Sequence, residues 1–176
     1  CELMIPVEMS GEKRGKDFVW LSDFNSVNPE ILSFVMYSYP YTSADNFSLE
    51  NYIQKRDSVM KKNMPGGKPG QYIQTEKEYV TLTETSSRDR YMQIARGLWY
   101  MENDMMGGPF VSHARVDSPN GRVVVVEAFV YAPQKKKRDL MRQMEASLYT
   151  LKLPQEQQID EIVIGVGVEE EVPDST

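Results

Sequence analysis

One histidine, one cysteine and no regular spacing of carboxylates limit the chemistry open to this chain of 176 residues. His113 lies in a strand-like run, Phe110 to Val116, that is followed by a turn at Asp117 to Arg122 and a second run through Val130. The turn can be read in two ways, and the choice decides which side chains face each other. A two-residue Asn120-Gly121 loop would put Pro119 where the ladder needs an amide donor. A three-residue Pro119-Asn120-Gly121 loop puts proline second in a type I turn and glycine at its left-handed position. This second reading aligns Phe110, Ser112, Ala114 and Val116 with Val130, Ala128, Val126 and Val124 on one face. On the other face it sets His113 opposite Glu127, with Arg115 one diagonal away.

An imidazole held by a carboxylate can act as a general base, so a hydrolase or transferase using the His113/Glu127 pair is the enzymatic reading. A cross-strand polar pair of purely structural value is the competing one. Neighbouring strand residues alternate between faces, so Ser112 points away from His113 and no nucleophile stands beside the base. Beyond His113, Glu127 and Arg115, no catalytic set is indicated.

Metals and cofactors find no better footing, because one histidine and one cysteine cannot build a zinc shell and no calcium-loop spacing occurs. The glycine-rich stretches at Gly66 to Gly70 and Gly107-Gly108 lack the lysine-serine or lysine-threonine ending of a phosphate loop, and read as turns. Lys135-Lys136-Lys137-Arg138 places cations where a helix is expected to start, against its dipole. An anionic head group is one account of them, and a solvated first turn beside the acidic tail is the other. Trp99, Met105, Met106, Gly107 and Gly108 combine an aromatic and two thioethers beside a flexible loop, and form the candidate binding patch.

The elements that must carry these residues follow from periodicity. Short apolar runs at Glu2 to Met9, with Pro6 marking a sheet edge, and at Asp17 to Ser22 flank a loop at Ser10 to Lys16. Ile31 to Tyr39 is apolar on both faces and predicts a strand buried on both sides. Ser48 caps a helix whose Leu49, Tyr52, Ile53, Val59 and Met60 form a stripe, with Phe47 and Tyr52 as a hydrophobic staple and Asn63 at its end. Strands are expected at Gln71 to Thr75, Tyr79 to Thr85 and Arg90 to Met101. A second helix starts near Pro133, carries Leu140, Met141, Met144, Leu148 and Leu151 on one side, and stops before Pro154. Ile162 to Val168 could add an edge strand.

These elements predict one α+β domain over residues 1–168, a two-layer sandwich of mostly antiparallel sheet with both amphipathic helices on one face. Residues 169–176 read as an acidic disordered tail. The formal charge of −6 disfavours nucleic acid as a partner. No apolar run is long enough to span a membrane as a helix. Cys1 is either a lipid-bearing residue or the cut-point of a longer chain, and the strand-like run directly after it favours the latter.

Arg96-Gly97-Leu98-Trp99, Met105 through Ser112, Val123 to Pro133 and Ala146 to Leu151 together resemble a domain-of-unknown-function family of Bacteroidetes cell-envelope lipoproteins. The likeness runs from about Ile5 to Pro154 and includes Tyr37 to Tyr41 and Lys55 to Met60. It implies that this chain is the carboxy-terminal part, that the lipid-attachment cysteine lies upstream, and that the location is periplasmic or outer-membrane-anchored. Membrane contact is then through a lipid anchor on the full-length protein. It implies no activity and no catalytic residue. The expected role is therefore a non-catalytic binding or assembly module, its partner another envelope protein or a second copy of itself.

Overall fold

The computed structural model describes residues 1–5, 9–24, 30–87, 90–133 and 136–156. Seven strands form one antiparallel sheet: β1 (Gly11–Gly15), β2 (Phe18–Phe24), β3 (Ile31–Pro40), β4 (Ile73–Ser87), β5 (Arg90–Met101), β6 (Gly107–Asp117) and β7 (Arg122–Tyr131). Their spatial order is β1-β2-β3-β7-β6-β5-β4. Helix α1 (Leu49–Asn63) connects β3 to β4, and α2 (Arg138–Leu148) follows β7. The α+β class and the antiparallel sheet are as the sequence predicts.

Helix α1 follows its sequence signals closely. Ser48 accepts the Asn51 amide hydrogen bond at 3.4 Å, Phe47 and Tyr52 are both buried, and the Asn63 side chain donates to the Val59 carbonyl at 2.9 Å. Leu49 departs from the expected stripe and is 43% exposed. Strand β4 is one long element, not two, because a register shift between Glu76 and Thr81 absorbs the irregular stretch without ending the ladder. The expected loop at Ser10 to Lys16 is itself strand β1, paired with β2 from Gly11↔Ser22 to Gly15↔Phe18 and turning at Asp17, whose φ is 57°. Of the expected strand before it, Glu2 makes a single bridge to Lys152.

The β6–β7 hairpin differs from the expected register by one residue. Asp117 pairs with Arg122, leaving a four-residue loop, Ser118 to Gly121, with Gly121 left-handed at φ 58°. The buried Asp117 carboxylate selects this loop by accepting from the Asn120 amide at 2.9 and 3.0 Å and from Arg122 Nε at 2.8 Å. His113 therefore stands opposite Val126, and Glu127 opposite Ser112. A one-residue slip moves every partner side chain to the other face.

The helices do not share a face. On one side of the sheet, Tyr52, Ile53 and Met60 of α1 pack with Val35, Tyr37, Ala95, Phe110, Ala114, Val123, Val125 and Phe129. On the other, Met144 and Leu148 of α2 pack with Phe34, Ile94, Val111, Val124, Val126, Ala128 and Val130. The physical reason lies in β7, where Val123 to Val130 is buried without a break. A strand apolar on both faces needs cover on both. Helix α2 also starts at Arg138, not near Pro133, so Lys136 and Lys137 precede it and Arg138 shares the first turn with Asp139. Lys137, the N-cap, and Arg138 still oppose the helix dipole, and Asp139 in the first turn offsets them in part. Pro6, Lys135, the possible strand at Ile162 to Val168, the boundary at 168 and the acidic tail lie outside the described residues.

Candidate functional site

Where α1 ends, the sheet continues, and the uncovered stretch of its α1 face forms the floor of an apolar pocket of 270 Å³. Trp20, Ile31, Ser33, Phe129 and Tyr131 come from β2, β3 and β7; Ile73, Trp99 and Met101 from β4 and β5. Met64, Pro65 and Gly67 after α1 and Met106 before β6 supply the rim. Both tryptophans of the chain are in this wall. Their polar edges are turned into the protein: Trp20 Nε1 donates to Ser33 Oγ at 3.2 Å, and Trp99 Nε1 to the Val130 carbonyl at 3.3 Å. The Trp99 ring meets Phe129 edge-on, centroids 5.4 Å apart.

Two loops hold this rim in place, and one side chain ties them. Gln71 accepts from the Lys68 amide at 3.0 Å and donates to the Asn103 carbonyl at 3.2 Å and to Asp104 Oδ2 at 2.8 Å. Met101 N donates to the Met106 carbonyl at 2.8 Å, closing the second loop. Gly107 and Gly108 pair with Tyr100 and Trp99. A Cβ on Gly108 would lie 2.0 Å from the Val130 carbonyl oxygen and 3.3 Å from Trp99 Nε1, so only glycine lets the strands close and the indole reach its acceptor. Of the five residues expected to bind, Trp99 and Met106 line the pocket, the two glycines position Trp99, and Met105 points fully into solvent.

A wider hollow of 560 Å³ runs along the first half of α1, lined by Tyr39, Asn46, Asn51, Gln54, Lys55 and Ser58 among others. Its walls are amides, hydroxyls, the Asp45 carboxylate and the Lys55 ammonium, mostly open to water already, and a ligand there would gain little by desolvation. The apolar pocket is the stronger candidate.

Beneath α1 lies a buried ionic cluster that the sequence reading missed. Arg56 and Glu127 are both fully excluded from water, with Arg56 Nε 2.9 Å from Glu127 Oε2 and Arg56 Nη2 2.7 Å from Oε1. Arg56 Nη1 donates to Thr75 Oγ1 at 2.7 Å, Thr75 in turn donates to Asp57, and the guanidinium lies 4.0 Å over the Phe110 ring. Burial pushes the Glu127 carboxyl above its ordinary range while Arg56 pulls it down. Burial opposes the Arg56 charge too, yet Glu127 holds it above its ordinary value. Tyr52 completes the seam with a 2.6 Å hydrogen bond to Ser112. Every partner is spent on joining α1 to the sheet, which makes this a clamp. Its signal was in the sequence: Arg56 occupies the helical spacing between Ile53 and Met60, inside the apolar stripe.

The structure separates the three residues considered for catalysis. Glu127 belongs to the α1 face, while His113 is buried beneath α2, its ring edge-on to Tyr149 with centroids 4.5 Å apart. Neither His113 nitrogen has a hydrogen bond of ordinary geometry, and Nε2 is 3.9 Å from Glu145 Oε1, which Arg96 engages. Burial and the Arg96 charge lower its pKa to about 4, against a smaller opposing contribution from the Leu148 backbone. Arg115 is committed to Glu156 and to the Leu151 carbonyl at 3.1 Å, pinning the segment after α2. The opposed His113/Glu127 pair is thus not formed, because the hairpin register places the two on opposite faces.

Among the described residues no group of histidine, cysteine, aspartate and glutamate could hold a metal ion, and no helix is long and apolar enough to cross a membrane. No curated protein matches the chain. A family model does match, over residues 1–150, and the chain belongs to that family, described as Domain of unknown function (DUF4837).

Proposed function

We propose that this domain is a non-catalytic binding module whose ligand seat is the apolar pocket at Trp20, Trp99 and Met106. The observation that carries the reading is a solvent-reaching hollow floored by Trp20, Trp99, Phe129 and Tyr131, at the one stretch of this face where α1 has stopped. Apolar surface left open in this way gains free energy when covered, at roughly 25 cal/mol per Å². Separation of His113 from Glu127 and the full commitment of Glu127 to Arg56 support a binding over a hydrolytic role. The sequence resemblance supports work in a bacterial cell envelope, as part of a lipoprotein anchored by a cysteine upstream, with another envelope protein or a second copy as partner.

The test uses the neutral apolar fluorophore N-phenyl-1-naphthylamine. Saturable binding, with a change in tryptophan emission, is expected for the native chain and is lost in Gly67→Leu. A side chain at Gly67 meets nothing within 4 Å, so this variant crowds the rim without disturbing the fold. A folded Gly67→Leu protein that binds the probe as the native chain does would sink the assignment.

A further inference from the structure

The pocket's walls narrow the class of ligand, on the reading that it is the binding seat. Both indole N–H groups are spent on Ser33 and Val130, so the two largest side chains turn only hydrocarbon toward the cavity. A ligand that buried a hydroxyl, amide or charge against them would lose its hydration without replacement, at a cost of several fold in affinity for each group. Ser33 and Tyr131 bring the lining's side-chain hydroxyls, and Ser33 already accepts from Trp20, so the buried part of the ligand is mainly hydrocarbon. Met64, Met101 and Met106 come from three separate segments and are unbranched and flexible, so these walls can follow a mobile chain and do not form a fixed slot for a rigid ring. The volume of 270 Å³ equals that of about nine waters at ~30 Å³ each, the space of an aliphatic chain of about eight to ten carbons.

We infer that the pocket takes a single saturated acyl chain, presented either by a free fatty acid or by a membrane lipid. The polar head stays outside, because the pocket opens to solvent at a rim that includes Met106, next in sequence to the exposed Met105. Recognition is by length and flexibility. The head group contributes little.

The chain carries two tryptophans and both line this pocket, so intrinsic emission reads it directly. Titration of the native protein with hexanoate, octanoate, decanoate and dodecanoate is expected to give an affinity that climbs about fourfold for each added methylene. The climb should stop near ten carbons, when the cavity is full. Indole and naphthalene, rigid rings of smaller or similar volume, are expected to bind at least tenfold more weakly than decanoate. A flat series, or rings that match decanoate, would overturn the acyl assignment while leaving N-phenyl-1-naphthylamine binding, and so the seat itself, intact. Failure of that probe as well would remove the seat. Vesicles of phosphatidylcholine and phosphatidylglycerol form the second arm: binding that decanoate competes away identifies a membrane lipid as the source, and binding of decanoate with none to vesicles identifies a free acid. No binding in either arm refutes the inference.

Discussion

Arg56 and Glu127 set the clearest expectation for a single side chain. Each is fully buried and each satisfies the other through three hydrogen bonds, so removing one strands an uncompensated charge. Arg56→Met should cost about 3–5 kcal/mol in urea denaturation, and the double variant Arg56→Met with Glu127→Met should recover most of it. A double variant no better than the single would contradict this account of the clamp. His113 gives a pH dependence of known sign. Its pKa falls from 6.5 to about 4 on folding, so the unfolded chain binds the proton more readily and stability is complete above pH 6.5. It is lost as pH falls from there through 4, by about 3 kcal/mol at 1.36 kcal/mol per unit. Replacement by phenylalanine should flatten that limb when denaturation curves of the two proteins are subtracted, a comparison in which Glu127 cancels. At this scale the sequence was half legible. Trp99 and Met106 stood out by type and belong to the pocket, but Arg56 reads as an ordinary helical cation until its place inside the apolar stripe is noticed.

Strands and helices were easier to see than their relations. Ser48, Phe47 and Asn63 mark α1 through local chemistry, and local chemistry is what a sequence displays directly. The β6–β7 register was decided by contacts just as close in sequence but without a familiar signature, the preference of a buried Asp117 for Asn120 and Arg122 over the turn geometry that Pro119 suggested. One residue of slip was enough to place Glu127 and Phe129 on the α1 face, and with them the clamp and the pocket floor. Gly108 is the element-scale test of that packing. Gly108→Ala sets a methyl 2.0 Å from the Val130 carbonyl, so β6 must move from β7, and it crowds Trp99 Nε1. A loss of about 1–3 kcal/mol is expected, with a shift in tryptophan emission as the indole leaves its acceptor. An alanine variant of native stability and spectrum would show that the strands do not approach as described.

For the molecule as a whole, the continuous apolar run of β7 is the fact from which the architecture follows. Val123 to Val130 cannot leave either face bare, so one helix is needed on each side, and a sandwich with both helices on one face would have exposed Val124, Val126, Ala128 and Val130. The two cores are consequently separate in their side chains yet share one backbone ladder. Shared strands should make them unfold together, since neither helix has a layer to cover once the sheet is gone. Leu148 is 1% exposed on the α2 face, and both tryptophans lie on the other. Leu148→Ala should therefore destabilise the protein by about 2–5 kcal/mol. Tryptophan emission and far-ultraviolet circular dichroism should report the same lowered midpoint, although no tryptophan touches the altered core. If emission kept its original midpoint while the helical signal melted early, the two faces would be independent units. The sheet would then be a divider between two cores instead of the link that couples the α2 face to the pocket.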